Sequence, residues 1–367
     1  MNKTLKIKNY IKNRPTQILL FNDEDILVKT IDISSKNDND NKIINVDFEL
    51  DQVKKIIFKS NRLKSEAIYL SEFTPNLSVK YVFATNSIKV DFTSLPNRKN
   101  GRVYSKTFKS EKLKYRHKKI NTFIYEQKKK KNEKYHLIIA FDGQNLFSKY
   151  GTNDYTKNND GYGGWQLDQV LSQVYSKKHT PFLVISIDNS TKYRDKELTM
   201  SQEFGEVNKY ILKMDKVFGK GCLESLADFI IHDLFDYVKS NYDVDLIDVG
   251  ILGSSSGGLA SFYMGLKYSD VFKYILSFSP AILFYHPDAL NKLIINNKDL
   301  PKLYITGGYQ SFLERNITDF IDIYSMYLSQ IYPKDKLLIR IDENYDHNEL
   351  QWRFLLPEAF DFTLNKK

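Results

Sequence analysis

Residues 249–258 read Val249-Gly250-Ile251-Leu252-Gly253-Ser254-Ser255-Ser256-Gly257-Gly258. An apolar run, a knot of small residues and then the helix-compatible stretch 259–266 predict a strand, a sharp turn and a helix. That is the elbow on which a parallel α/β sheet presents a nucleophilic serine. The turn forces the serine into a strained backbone conformation, so the positions two residues to either side must carry almost no side chain. Ser255 has glycine at both, Gly253 and Gly257. Ser254 faces Leu252 on one side, and Ser256 faces Ser254, so neither fits. A Gly-rich turn with a buried structural serine is the alternative reading of the same residues.

A serine hydroxyl needs a base to be nucleophilic. In this fold the chain order is nucleophile, acid, histidine, which leaves His286 and His347 of the six histidines. His286 follows the predicted strand 275–278 too closely to leave room for an acid-bearing strand, and is expected at the cleft rim. His347 lies in the polar run 342–349, directly after the apolar strand 336–341, and strand C-termini are where a doubly wound sheet gathers its functional groups. His347 is therefore the candidate base.

Beyond the elbow, several separated motifs keep a common order: Phe141-Asp142-Gly143-Gln144-Asn145, Gly164-Trp165, Ile187-Asp188-Asn189 with Arg194 and Glu197, Ser277-Phe278-Ser279-Pro280-Ala281, and His347-Asn348-Glu349 followed by Trp352. Together they resemble the putative esterase family of α/β-hydrolases, over roughly residues 103 to 362. The resemblance implies an α/β-hydrolase doubly wound sheet and a serine esterase that works through an acyl-enzyme. It also implies that the backbone amides of Gln144 and Ser256 form an oxyanion hole, the arrangement that stabilises developing negative charge. The family usually has Met at the position of Ser256, a difference that leaves a main-chain donor intact. Trp165, Arg194 and Glu197 match positions that line or brace the cleft, with Trp165 and Arg194 as candidate substrate-binding residues. The competing reading makes Trp165 core and pairs Arg194 with Glu197.

The acid is the unresolved member. The family's glutamate position falls near Ser311, and serine cannot stabilise an imidazolium. Glu314 is the first candidate, Asp319 the second, and a site without an acid the third. Both carboxylates could instead be exposed charges on a helix predicted over 316–329. The departure at Ser311 also keeps open a hydrolase-fold binding or scaffold protein with weakened chemistry. Acyl transfer to an alcohol would use the same groups.

The chain has 367 residues, is 42% hydrophobic and 14% aromatic, and so can bury a large core and is not disordered. Two domains are expected: a β-sandwich-like unit at 1–100 and the hydrolase unit at 101–367. The first rests on seven short apolar runs, at 17–21, 26–33, 43–50, 53–59, 67–70, 79–83 and 88–92, which suggest an antiparallel sandwich. Residues 96–102 read as the linker, and Lys128 to Lys131 as a turn between strands.

One cysteine, Cys222, excludes an internal disulfide framework. No signal-peptide-like apolar stretch opens the sequence, and nowhere do 18 apolar residues run together, so a cytoplasmic location without membrane insertion is expected. The net charge of +9 is concentrated at the start, where residues 1–135 hold 30 Lys and Arg against 15 Asp and Glu. Such a field could attract an anionic ester or polymer, but no nucleic-acid motif accompanies it and no nucleic-acid partner is expected. The histidines show no metal-binding spacing and no phosphate-cradling loop is present, so neither metal nor cofactor is expected. A small-molecule or glycan ester is the expected partner; oligomeric state is not legible.

Overall fold

The structure is a computed structural model that describes residues 1–9, 16–33, 42–82, 86–93, 100–147, 164–189, 192–201, 221–285 and 287–365. His286 lies outside them.

The N-terminal third forms two sheets. One has the order β4 (Lys42–Glu49), β1 (Asn2–Asn9), β8 (Leu77–Val82), β9 (Ser87–Phe92). The other runs β3 (Leu27–Asp32), β2 (Gln17–Phe21), β5 (Lys55–Ser60), β6 (Leu63–Lys64), with β7 (Ile68–Tyr69) also paired to β5. Residues at i and i+2 point to one face of a strand. Accordingly Leu5 and Ile7, Val46 and Phe48, and Ile88 and Val90 of the first sheet are buried in one cluster with Ile18 and Leu20 and Ile56 and Phe58 of the second. All seven predicted runs contain a strand. Two departures concern β1. Its lysine-alternating sequence was not among the predicted runs, and it lies parallel to β8, so the sandwich is not wholly antiparallel. Leu5 and Ile7 face inward between exposed or half-exposed lysines, a period-two pattern that an inspection for long apolar runs passes over.

The rest is an eight-stranded sheet. Its order is β10 (Gly101–Lys109), β11 (Lys119–Gln127), β13 (Phe182–Ile187), β12 (Tyr135–Ala140), β14 (Val244–Ser254), β15 (Phe272–Phe278), β16 (Lys302–Gly308), β17 (Leu337–Asp342). The β10–β11 and β11–β13 pairs are antiparallel and all later pairs parallel. Because β10 begins at Gly101, the last two residues of the predicted linker belong to the sheet. Strands covered on both faces read as unbroken apolar runs, and β13 is buried at every position.

Eight α-helices occur among the described residues: α1 (Leu167–Lys178), α2 (Arg194–Glu197), α3 (Leu223–Asp228), α4 (Phe235–Asn241), α5 (Ser256–Lys267), α6 (Pro287–Ile295), α7 (Phe312–Ile331) and α8 (Glu349–Leu364). Helices α1 and α8 share a core with Ile138, Val184, Leu252, Leu276 and the N-terminal sheets. Helices α5 and α7 pack on the opposite face, against Ile139, Ile185, Ile251 and Ile275. This is an α/β-hydrolase doubly wound sheet preceded by a β-sandwich. No described helix is long and apolar enough to cross a membrane.

The central strands set the stability of this frame. Leu276 is fully buried in β15, and Leu276→Ala should lower unfolding stability by about 2–5 kcal/mol, read as a shifted denaturant midpoint.

Candidate active site

Strand β14 ends at Ser254 and α5 starts at Ser256, leaving Ser255 alone at the corner with φ 54° and ψ −124°. A non-glycine residue holds this conformation only when its surroundings enforce it. The Ser255 N–H donates to the Phe278 carbonyl at 3.0 Å, and its carbonyl accepts from Leu259 and Ala281, both at 3.0 Å. The flanking glycines have a steric origin. A Cβ on Gly253 would overlap the Gly257 carbonyl, and one on Gly257 would sit 3.1 Å from Phe141 Cβ and 3.2 Å from Asp142 Oδ2.

That last contact brings in the second loop. After β12, Asp142 takes a left-handed conformation and Gly143–Asn145 make a short 3-10 turn. The turn is held by its own side chain: Asp142 accepts from Arg194 Nε and Nη2, each at 2.8 Å, and from Asn189 Nδ2 at 2.7 Å. A planar guanidinium matches the two carboxylate oxygens in one fork, which adds geometric specificity to the charge attraction. Gln144 Oε1 accepts from the Asn189 amide at 3.2 Å, and the Asn145 carbonyl accepts from Trp165 N–H at 2.8 Å. Ser256 stands in the first turn of α5, whose amides have no intrahelical partner.

The candidate acid and base follow strands β16 and β17. Helix α7 begins at Phe312, four residues before the predicted start, with Ser311 as its N-cap accepting from the Glu314 N–H at 3.3 Å. Ser311-Phe312-Leu313-Glu314 has the spacing of a capping box, a helix-start signal that the sequence carries. In a capping box the glutamate folds back on the cap. Here Glu314 is 0% exposed and turns inward instead. Its Oε2 lies 2.6 Å from His347 Nδ1, and its Oε1 accepts from Ser279 Oγ at 2.6 Å. Ser279 in turn accepts from Trp352 Nε1 at 3.0 Å, and the Trp352 ring meets the His347 ring edge-on, 5.1 Å between centroids. Asp319, by contrast, is exposed on α7.

Two expectations change. Trp165 is 2% exposed and packed between Phe278 and Trp352, at 5.0 and 5.3 Å between ring centroids, so it backs the site from the core rather than offering a face to a ligand. Arg194 pairs not with Glu197 but with Asp142, and its Nη1 lies 3.8 Å from Asp195 Oδ1. Glu197 is buried against Arg116, whose Nη2 also reaches the Asp188 carbonyl at 3.0 Å. Burial keeps the Glu197 carboxyl above its ordinary range despite that guanidinium.

The sequence alone assigns no role to Ser279, Trp352 or Glu349. Glu349 opens α8 and accepts from Asn145 Nδ2 at 3.2 Å; burial first, and then the Asp142 charge, raise its pKa. Among the described residues no group of three His, Cys, Asp or Glu side chains could hold a metal ion.

The sequence profile of a family described as "Putative esterase" matches residues 114–362. This chain belongs to that family. The family is one of esterases. No curated protein matches the sequence. Among solved structures, the siderophore hydrolase EstA from Aspergillus nidulans is similar at 14% identity and TM-score 0.54, covering 75% of this esterase and 98% of that chain. The enterobactin esterase FES from Shigella flexneri, solved in the presence of enterobactin, is similar at 14% identity and TM-score 0.52, covering 98% of this chain and 92% of that one. At such identity the likeness is one of fold. In the second case it extends across the N-terminal sheets.

The steric argument at the elbow can be tested directly. Gly253→Ala should cost about 1–3 kcal/mol or more through overpacking, seen as a lower melting temperature together with loss of fluorophosphonate labelling.

Proposed function

We propose that this esterase cleaves a small-molecule or glycan ester through an acyl-enzyme carried on Ser255, with His347 as base and Glu314 as the orienting acid. The observation that carries the reading is the 2.6 Å contact between His347 Nδ1 and the fully buried Glu314 carboxylate. A carboxylate on Nδ1 selects the tautomer that leaves Nε2 free to accept a proton, and it stabilises the imidazolium that results.

In the forward half-reaction Ser255 Oγ attacks the ester carbonyl carbon while His347 Nε2 takes the hydroxyl proton. The carbonyl oxygen gains negative charge between the amides of Gln144 and Ser256. Collapse of the tetrahedral intermediate expels the alcohol, which leaves with the proton from His347. Water then attacks the acyl-enzyme, again giving a proton to His347, which returns it to Ser255 as the acid departs. Arg194 acts here through Asp142, fixing the turn that carries the Gln144 amide. Uncovering that carboxylate would let the turn relax.

The second Glu314 oxygen bears on the assignment. Bonding to Ser279, itself held by Trp352, leaves the carboxylate one orientation, with Oε2 toward the imidazole. The similar structures named a siderophore hydrolase and an enterobactin esterase place siderophore esters in a substrate panel beside acetylated sugars and simple aryl esters.

Ser255→Ala should lower kcat on 4-nitrophenyl acetate by about 10⁶-fold. Glu314→Gln should lower it by about 10⁴-fold, whereas Asp319→Asn should leave it within twofold. Steady-state rates of the three purified variants decide the matter, and equal losses at Glu314 and Asp319 would remove Glu314 from its role.

A further inference from the structure

Strand β17 ends at Asp342, five residues before His347, and the Asp342 carboxylate is buried under the N-terminal sheets. Its Oδ2 accepts from Tyr69 OH of β7 at 2.7 Å and pairs with Lys55 Nζ of β5 at 3.2 Å. Its Oδ1 accepts from the backbone N–H and the side-chain Nδ2 of Asn344, both at 2.9 Å, and its carbonyl accepts from Tyr345 N–H at 3.1 Å. Both carboxylate oxygens are therefore used, one by the N-terminal sheets and one by the start of the histidine loop. Burial alone would raise the Asp342 pKa, but the Asn344 and Tyr69 hydrogen bonds and the Lys55 charge outweigh it and hold the carboxyl below its ordinary range.

The loop then locks onto the segment that leads to Glu314. Tyr345 is buried, its ring edge-on to Tyr69 at 5.6 Å, and its carbonyl accepts from Gln310 N–H at 3.0 Å. Gly308 lies so close beneath it that a Cβ there would overlap Tyr345. One turn of chain later stand His347 on one side and Glu314 on the other. Lys55 is 4% exposed, and its neighbours are Asp342, Asp25 and the rings of Phe21 and Tyr69. Burying an ammonium costs several kcal/mol unless it is well paired, a cost the sandwich core alone gives no reason to bear.

We infer that Lys55 and Tyr69 are positioning residues for catalysis: by gripping Asp342 they set the path of residues 342–347 and so the placement of the His347 imidazole. This rests on the proposed Ser255, His347 and Glu314 assignment and gives the N-terminal sheets a part in the reaction. Tyr69→Phe removes one hydrogen bond while keeping the ring contact with Tyr345. Lys55→Met removes the charge while keeping an apolar stem.

Both variants, in the full chain, are compared with wild type for kcat per fluorophosphonate-labelled site, for KM on 4-nitrophenyl acetate, and for the downfield His347 Nδ1 proton resonance. Counting only labelled sites excludes misfolded protein. A small displacement of a catalytic group costs of order ten- to a hundredfold. The expected result is a kcat per labelled site at least about tenfold lower in each variant, with KM within about twofold and the proton resonance shifted or broadened. Unchanged kcat per site and an unchanged resonance in both variants would overturn the inference. If instead wild type is not labelled at Ser255, the esterase assignment fails at that step, and the resonance comparison still reports whether Lys55 and Tyr69 hold the imidazole.

Discussion

The structure turns on one unfavourable backbone conformation. Ser255 is held at φ 54°, a region that costs a non-glycine residue about 1–3 kcal/mol. It persists because hydrogen bonds at both of its main-chain polar groups run to the end of β15 and the segment after it. The same hydrogen bonds tie the elbow to Phe278 and Ala281, on either side of Ser279, whose hydroxyl reaches Glu314. The strain at Ser255 and the hydrogen-bond network around Glu314 therefore share one stretch of chain. Gly257 on the far side of the corner lies against Phe141 and Asp142, so the turn at 142–145 is registered to the same point.

Around that corner, charges taken out of water are each given a full set of partners. Asp142 is forked by Arg194 and bonded to Asn189; Glu314 has a hydrogen-bond partner on each oxygen; Asp342 has Tyr69 and Lys55 on one oxygen and Asn344 on the other. A buried ion pair is weak evidence for stability, since desolvation offsets most of the attraction. Its value here is directional: a fully used carboxylate cannot rotate, and each of these three fixes a different loop. Two of the loops, 308–314 and 342–347, are also pressed together by backbone contact at Gly308 and Tyr345.

The basic N-terminal third takes part in this arrangement from outside the hydrolase sheet. In β1 Lys6 is exposed and Lys3 and Lys8 are half-buried, whereas Lys55 of β5 is turned inward onto the last strand of the hydrolase sheet. Arg353 of α8 makes the reciprocal connection, donating to the Gly164 carbonyl and pairing with Asp91 of β9. The two units consequently share one hydrophobic cluster rather than meeting as separate bodies.

Much of this was legible in the sequence because it is local. Glycines at positions 253 and 257 mark a sharp corner, an apolar run such as 249–252 reads as a strand, and a polar loop holding a histidine after the last strand is read from order alone. The Ser311-Phe312-Leu313-Glu314 cap was legible too, and reading it would have moved the helix start to bring Glu314 into the first turn. What tertiary structure decided is which partner each side chain meets. Asp142 and Arg194 are separated by 52 residues, Ser279 and Trp352 by 73, and Lys55 and Asp342 by 287. Sequence spacing carries no information about such distances, since they are set by the sheet order and by which helix covers which face; only the packed fold brings those groups within a hydrogen bond of each other.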